Sequence, residues 1–246
     1  EYWNNVFSTI PEQASIPSSK LKISNDDFSC KANRSIFNID KSTIDKITEF
    51  CKSINISVFN FFMAVYSIYI SRVSGLSDFV IGTPILNRTN FKEKHTTGMF
   101  INTSPLRVSI YDDIDFNTFA SNIAKASLSM LRHQKYYYQN ILEDLRNREP
   151  NLPNLYSILI SYQITKASTE KGLSYTTRWN FNGTCADDID IHLFDLNDSG
   201  SINIAYDYKV SKYEDTDITS LHNRILHIIE QILSTPSISI KDIEIV

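Results

Sequence analysis

One segment of this chain is apolar on every side. From Val58 to Ile70 the sequence reads VFNFFMAVYSIYI, in which an asparagine and a serine are the clearly polar side chains. Surface helices keep a polar face, so a helix without one must be covered by other elements. The segment is also shorter than the roughly 20 residues of a membrane span. We therefore predict a central buried helix that Ser57 opens and Gly75 ends.

The segments before and after this helix carry weaker patterns. Residues 11–35 are predicted to be an extended connector, because they are rich in Pro, Ser, Asn and Asp without a sustained period. Residues 36–39 favour a short strand, and Asp40 or Ser42 is a suitable cap for a helix. Residues 79–82 predict a buried strand that leads into a polar loop.

The second half of the chain mixes strands and helices. Residues 99–110 predict a strand in which Pro105 requires an edge position or a bulge. A helix capped by Asp115 follows, and the chain ends in a helix from about Thr216. Three further strands are predicted at 155–164, 189–196 and 202–208, the last two as a hairpin. The fold class is therefore α/β or mixed α+β.

Charge and cysteine content exclude several classes of protein. The 24 basic residues are fewer than the 28 acidic ones, so neither nucleic acid nor an anionic membrane is an expected partner. The three cysteines are widely spaced and form no CxxC, which favours a reducing, cytoplasmic setting over a disulfide framework. No signal peptide pattern opens the chain.

Catalytic motifs are sparse. The sequence has no phosphate-binding loop, no G-x-G-x-x-G and no G-x-S-x-G, so nucleotide binding and a serine hydrolase elbow are disfavoured. His222 and His227 are five apart on a helix, which is the wrong spacing for a zinc pair. Asp190 and His192 share one face of a strand; they could form an acid–base pair, but a solvated sheet face is the favoured interpretation.

Two further groups of residues have open interpretations. His133-Gln134 could position a ligand or cap a helix, and Asn102-Thr103-Ser104 could line a wet tunnel or satisfy a sheet edge. Residue chemistry alone therefore predicts a globular α/β domain without a visible catalytic set.

Four blocks, in this order, resemble the condensation domains of nonribosomal peptide synthetases. The central helix is the first, and DFVIGTP followed by Asn87-Arg88 is the second. GMFINT with Arg107 is similar to the family's G-x-F-V-N-T…R motif, and His133-Gln134 to its H-Q-D-x-P-F-E motif. Lys135 departs from that last motif, where the family has an acid.

The resemblance implies that residues 1–246 are a single lobe, the C-terminal half of a chloramphenicol-acetyltransferase-like fold. Residues 1–35 would be the connector from the missing N-terminal lobe. In that family two lobes enclose a tunnel that receives substrates on the phosphopantetheine of carrier domains, and no cofactor is bound directly. The H-H-x-x-x-D-G motif belongs to the other lobe, so this lobe has no catalytic residue and would be inactive alone. The implied partners are the N-terminal lobe, carrier domains and a neighbouring adenylation domain.

The resemblance also implies roles for single residues and segments. Asn102, Thr103 and Ser104 would line the tunnel, whereas a second set of residues would hold the motifs in place: Arg88, Gly98, Arg107, His133 and Gln134. Residues 83–97 would form the floor loop of the tunnel, and residues 166–188 the latch that crosses to the other lobe. Two alternatives remain: half of an epimerisation domain, and a non-catalytic platform that binds carrier proteins.

Overall fold

The computed structural model describes residues 1–20, 29–164 and 177–246. The described part contains seven α-helices and six strands, followed by a short 3-10 turn at Ile240–Asp242. The helices are α1 (Tyr2–Val6), α2 (Lys41–Ser53), α3 (Val58–Ser74), α4 (Phe91–Lys94), α5 (Phe116–Arg132), α6 (Tyr138–Arg146) and α7 (Asp215–Ser234). The strands are β1 (Ala32–Ile39), β2 (Asp78–Ile85), β3 (Asn102–Ser109), β4 (Ile158–Ile164), β5 (Ile189–Asp195) and β6 (Ile202–Lys209).

The strands form one mixed sheet in the order β1-β6-β5-β4-β2-β3. β2, β4 and β5 run parallel to one another, and the antiparallel strands β3, β6 and β1 extend the sheet on its two sides. The mixed α/β fold class is thereby confirmed. The predicted edge position of Pro105 is also confirmed, because β3 is an outer strand and proline cannot donate to a second neighbour.

The central position of α3 is confirmed. Ten consecutive residues, Phe61 to Ile70, are buried. Ser57 accepts a hydrogen bond from the amide of Asn60 at 3.1 Å, and Gly75 ends the helix with φ +74°, a conformation that favours glycine. The helix therefore begins and ends where the sequence predicts, and it is enclosed by its neighbours.

Other capping and pairing predictions are confirmed as well. The side chain of Asp40 caps α2, and that of Asp115 caps α5, each by accepting the backbone amide three residues later. β5 and β6 pair as an antiparallel hairpin. The carboxylate of Asp195 organises its turn, accepting backbone amides that include that of Gly200 at 2.8 Å.

The predicted bounds of several segments are wrong. The connector predicted over residues 1–35 contains α1 and the first part of β1, because Trp3 is buried and because β1 pairs with β6 from Ala32 onward. β2 continues to Ile85, so residues 83–85 of the predicted floor loop are strand, and α4 interrupts the rest. The strands predicted from 99 and 155 begin at Asn102 and Ile158.

Alternate residues of each strand define two faces of the sheet. On the inner face, Phe37 of β1 stacks on His222 of α7 at 4.1 Å, and the hydroxyls of Tyr66 in α3 and Tyr206 in β6 are 2.8 Å apart. We call the opposite side the outer face. Residues 177–185, which we call the strap, lie against the outer face near β1. Trp179 of the strap contacts Arg34 of β1 and His192 of β5.

Within the described residues, no single helix is long and apolar enough to cross a membrane. α2 and α3 reach the required length and composition only when taken together across a 99° bend.

Candidate functional site

The carboxyl ends of the neighbouring parallel strands β2 and β4 lie at the same end of the sheet. The first residue of β3, Asn102, lies opposite the last residue of β2, Ile85. In sheets with parallel strands, ligands bind beyond the carboxyl ends of the strands, where loops diverge. Four motif residues, Arg88, Gly98, Asn102 and Gln134, also lie at this end of the sheet. Arg107 lies at the opposite end of β3, where it pairs with Asp78.

A cleft of about 320 Å³ opens here, between the end of β2, the start of α3 and the second half of α5. Its walls are mainly apolar: Phe59, Pro84, Ile85, Ala124, Leu128, Met130, Leu131 and Tyr162, with Ser57, Asn60, Thr83 and Ser127 as the polar members. Concave apolar surfaces with a few polar groups are typical of ligand sites.

Two polar atoms in the lining of this cleft lack a partner. Asn60 Oδ1 and Ser127 Oγ are buried and have no hydrogen-bond partner among the described residues. A buried polar group without a partner costs about 1–3 kcal/mol, so both atoms favour a ligand that hydrogen-bonds to them.

Arg88 holds the loop after β2 in a closed shape. Its guanidinium donates to the carbonyl oxygens of Glu93, Thr96 (2.7 Å) and Gly98 (2.9 Å). The same group lies 4.1 Å from the centroid of the Phe100 ring, within cation–π range. Gly98 has φ +148°, which side chains with a Cβ rarely adopt.

Lys135, the departure from the H-Q-D-x-P-F-E motif, tethers this loop to the turn between α5 and α6. Its ammonium donates to the carbonyl of Asn87 at 2.9 Å and to Glu93 Oε2 at 2.8 Å. Hydrogen bonds from Lys135 and then from the amide of Thr89 lower the pKa of Glu93 to about 2. Sequence reasoning missed this ion pair because its members are 42 residues apart.

The three residues predicted to line the tunnel do not share a face. The side-chain amide of Asn102 donates to the carbonyl of Gln134 at 3.2 Å, which joins β3 to the end of α5. Ser104 is fully buried on the same face. Thr103 lies on the outer face, near Tyr156. Alternation along a strand makes this separation unavoidable.

His133 and Gln134 lie at the carboxyl end of α5. The His133 ring stacks on Tyr2 of α1 with centroids 3.8 Å apart, and the Gln134 side chain donates to the carbonyl of Leu131 at 2.7 Å. Arg107 of β3 pairs with Asp78 and donates to the carbonyl of Thr9, which ties the start of the chain to the sheet. These contacts hold the start of the chain and the end of α5 in place, and the Gln134 bond reaches Leu131, which lines the cleft. The structural roles of His133, Gln134 and Arg107 stay predictions.

Exposed apolar side chains occur at the cleft and on the loop that follows β2. Leu86, Phe91, Met99 and Ile101 project from the loop, and Leu128 and Leu131 project from α5. Met99 is 84% exposed and Leu86 72%, values that are unfavourable for large apolar side chains in water. Clustered exposure of this kind marks surfaces that meet a partner.

The interpretation of Asp190 and His192 as a solvated sheet face is wrong. They belong to a largely buried polar cluster on the outer face. Ser161 Oγ is 2.7 Å from His192 Nδ1, and His192 Nε2 is 3.4 Å from Asp207 Oδ2. Arg34 binds the same carboxylate with two hydrogen bonds of 2.6 and 2.7 Å. Trp179 of the strap covers the histidine, with ring centroids 4.8 Å apart.

This cluster is not arranged for nucleophilic catalysis. Ser161 is 1% exposed, and Arg34 already neutralises the carboxylate that would support His192. Burial, and next the charge of Asp190, raises the pKa of Asp187 to about 7. Burial likewise raises the pKa of Asp190.

The two histidines of α7 do not form a metal site with each other. His222 is buried, its Nδ1 is 3.1 Å from the hydroxyl of Tyr206, and burial lowers its pKa to about 4. No group of three His, Cys, Asp or Glu residues suited to a metal ion occurs within the described ranges.

Comparison with known proteins gives a single family. A family model described as "Condensation domain" matches residues 1–246. Surfactin synthase subunit 1 of Bacillus subtilis (strain 168) is 31% identical over 245 residues, which is 100% of this chain and 7% of that protein. Gramicidin S synthase 2 of Brevibacillus brevis is 23% identical over 245 residues, 99% of this chain and 6% of that protein. The chain thus spans less than a tenth of these relatives.

Solved structures share the fold. A four-domain nonribosomal peptide synthetase bound to AMP and glycine matches with a TM-score of 0.84 at 16% identity, over 99% of this chain and 20% of that one. The first condensation domain of the CDA synthetase matches with a TM-score of 0.71 at 16% identity, over 99% of this chain and 51% of that one. The X-domain from teicoplanin biosynthesis matches with a TM-score of 0.83 at 18% identity, over 100% and 56%.

Proposed function

This chain belongs to the condensation-domain family, and on that basis we propose that it is the C-terminal lobe of a condensation domain of a nonribosomal peptide synthetase. The chain spans about half of two solved condensation domains that it matches, 57% of one and 51% of the other. The sequence has no adjacent histidine pair and hence no H-H-x-x-x-D-G motif. The missing half would be the N-terminal lobe, and the complete domain would adopt the two-lobed chloramphenicol-acetyltransferase-like arrangement.

The proposed reaction of the complete domain is formation of an amide bond. The amine of a carrier-bound aminoacyl acceptor attacks the thioester carbonyl of a carrier-bound donor, the amine loses a proton, and the phosphopantetheine thiol leaves. Such a reaction needs alignment of the two reactants in a sheltered space more than it needs a strong nucleophile. This lobe would contribute one wall of that space and hold no cofactor of its own.

The cleft at the ends of β2 and β4 is the observation that carries this proposal. Its apolar walls suit the slender arm of a carrier-bound substrate, and Asn60 Oδ1 and Ser127 Oγ suit the polar groups of that arm. The exposed apolar side chains around it, Leu128 among them, suit contact with a second lobe. Asn102 would hold the wall in place through Gln134, and contact of Asn102, Thr103 or Ser104 with substrate stays a prediction.

The proposed setting is a cytoplasmic multidomain synthetase, with carrier domains and an adenylation domain as neighbours. The four-domain synthetase that shares the fold supports such neighbours in general. Residues 83–97 would close the tunnel as a floor loop, held by Arg88 and Lys135. Residues 166–188 would act as a latch; residues 177–188 of this segment are described as the strap and the approach to β5, and residues 166–176 lie outside the described ranges.

The test is reconstitution with the N-terminal lobe of a related condensation domain. Amide formation between loaded donor and acceptor carrier proteins is measured with this chain alone, with the added lobe alone, and with both. We expect product only with both. Product from this chain alone would refute the half-domain proposal, D-configured aminoacyl product would favour the epimerisation alternative, and carrier binding without any reaction would favour the platform.

A pair of matched variants connects the reaction to the cleft. Leu128→Asp places a charge on the exposed rim of the cleft, and Tyr111→Asp places one on an exposed residue elsewhere; the two positions are 52% and 61% exposed. We expect Leu128→Asp to lower reconstituted product formation at least about tenfold, because burying an unpaired charge in an interface is strongly unfavourable. Tyr111→Asp should leave it unchanged. Equal effects of the two variants on product formation would show that the cleft has no role in the reaction.

A further inference from the structure

Two cysteines face each other across a short antiparallel pairing that joins the strap to β1. Lys31 and Thr184 form an isolated antiparallel bridge. On one side of this bridge the amide of Cys185 donates to the carbonyl of Cys30 at 2.9 Å. On the other side the amide of Ala32 donates to the carbonyl of Gly183, also at 2.9 Å. Cys30 and Cys185 are therefore the next directly opposed pair.

The backbone arrangement brings the two side chains within disulfide range. Directly opposed residues of an antiparallel pair project to the same face, with Cα atoms about 4.5–5.5 Å apart. Disulfides span Cα separations of about 4.4–6.8 Å. Their Cβ atoms are about 3.5–4.5 Å apart, so closure needs an approach of at most roughly 1 Å.

The two thiols differ in access to solvent. Cys30 is exposed, whereas Cys185 is buried, and the Cys185 thiol donates to the carbonyl of Asp187 at 3.2 Å. Burial raises the pKa of the Cys185 thiol. A dissolved oxidant therefore meets Cys30 first, and Cys185 is the neighbour that completes the reaction.

We propose that Cys30 and Cys185 form a redox modification site that closes into an intramolecular disulfide with a small disulfide such as oxidised glutathione. The Cys30 thiolate attacks one glutathione sulfur, forming a mixed disulfide and releasing one reduced glutathione. The Cys185 thiolate then attacks the Cys30 sulfur and releases the second glutathione. The two protein thiols lose two protons and two electrons, which the oxidised glutathione accepts.

The disulfide would fasten the strap over the outer polar cluster. Trp179 of the strap lies against His192, and its carbonyl accepts from Arg34. A covalent link at Cys185 would keep these contacts closed, whereas the reduced chain holds the strap by noncovalent contacts alone. In a reducing cytosol the link would be transient, as is usual for disulfides that respond to redox state. The strap is also part of the proposed latch, residues 166–188, but the disulfide proposal rests on the backbone pairing of Cys30 with Cys185 and not on the peptide-bond reaction.

The experiment is oxidation of the purified, folded chain with excess oxidised glutathione, followed by alkylation and peptide mapping without reduction. We expect a linked pair of peptides containing Cys30 and Cys185, lost again on treatment with dithiothreitol. Cys51 is an internal control: it is buried in the core, burial raises the pKa of its thiol to about 12, and it should stay unmodified while the chain is folded. Amide exchange in residues 177–185 should slow at least about threefold on oxidation.

The variant Cys30→Ser alters an exposed position and should abolish the linked pair without changing the circular dichroism spectrum. A stable Cys30–glutathione adduct in the native chain, without transfer to Cys185, would overturn the proposal. A dimer linked through Cys30 of two chains, or absence of any reaction at Cys30, would overturn it equally. Oxidation at Cys51 would show that the chain had unfolded, and the mapping would be repeated at lower temperature to give one of these outcomes.

Discussion

Replacement of Arg34 by methionine should destabilise the chain strongly at neutral pH. The Arg34 and Asp207 side chains are 9% and 7% exposed and are joined by two hydrogen bonds. Burial alone would raise the pKa of Asp207, but hydrogen bonds from Arg34 and His192 outweigh burial and lower it. The guanidinium carbon of Arg34 lies 5.3 Å from the centroid of the Trp179 ring, and methionine keeps a long apolar side chain there while removing the charge.

The expected cost is about 3–5 kcal/mol in the free energy of unfolding, because the variant leaves a buried carboxylate without its partner. Since the pKa of Asp207 in the folded chain is below its unfolded value of about 3.9, the stabilisation is present above about pH 4 and lost as the pH falls through the folded pKa. The penalty of Arg34→Met should therefore shrink in acid.

Urea unfolding followed by far-ultraviolet circular dichroism measures this effect. Lys41→Met is the matched control, because the Lys41–Asp45 pair is exposed, at 63% and 57%, and should cost no more than about 0.5 kcal/mol. The double variant Arg34→Met/Asp207→Asn should regain at least about 2 kcal/mol relative to additivity. A cost of Arg34→Met below about 1 kcal/mol, or strict additivity in the double variant, would refute the reasoning from a buried ion pair.

Three further outcomes are expected. Gly82→Ala should lower the free energy of unfolding by about 1–3 kcal/mol, because a Cβ there would lie 2.4 Å from the Tyr156 ring. The cost, measured by urea unfolding, should be smaller when Tyr156 is replaced by leucine. An unchanged cost would contradict this cause. The pKa of His222 is lowered to about 4, so its contribution to the free energy of unfolding is lost as the pH falls from about 6.5 to 4. His222→Gln should reduce the loss seen in the wild-type chain over that range by up to about 3 kcal/mol. Parallel plots of unfolding free energy against pH for the two chains would contradict the assignment. The pKa of Asp187 is raised to about 7, so its contribution to the free energy of unfolding has the opposite pH dependence and is lost as the pH rises from about 4 to 7. Asp187→Asn should remove that loss when urea unfolding is measured across this range. An undiminished loss would assign it to another group.

The sequence by itself determined the central helix and its ends. Continuous apolar character along α3 cannot be satisfied at a surface, and the left-handed conformation at Gly75 favours a residue without a Cβ. Pro105 required an edge position or a bulge for an equally local reason, the missing amide hydrogen, and the sheet order decided for the edge. The four motif blocks from the central helix to Gln134 indicated the family, which comparison over the whole chain then established.

Only the tertiary structure decided which polar residues meet. Sequence alternation placed Asp190 and His192 on one strand face, but their burial depends on Arg34, Asp207 and the strap, which are distant in the sequence. The same holds for Lys135 and Glu93, and for the opposition of Cys30 and Cys185. Periodicity reports which side of an element faces inward, whereas pairing between distant segments is fixed by strand register and packing, which no local pattern encodes.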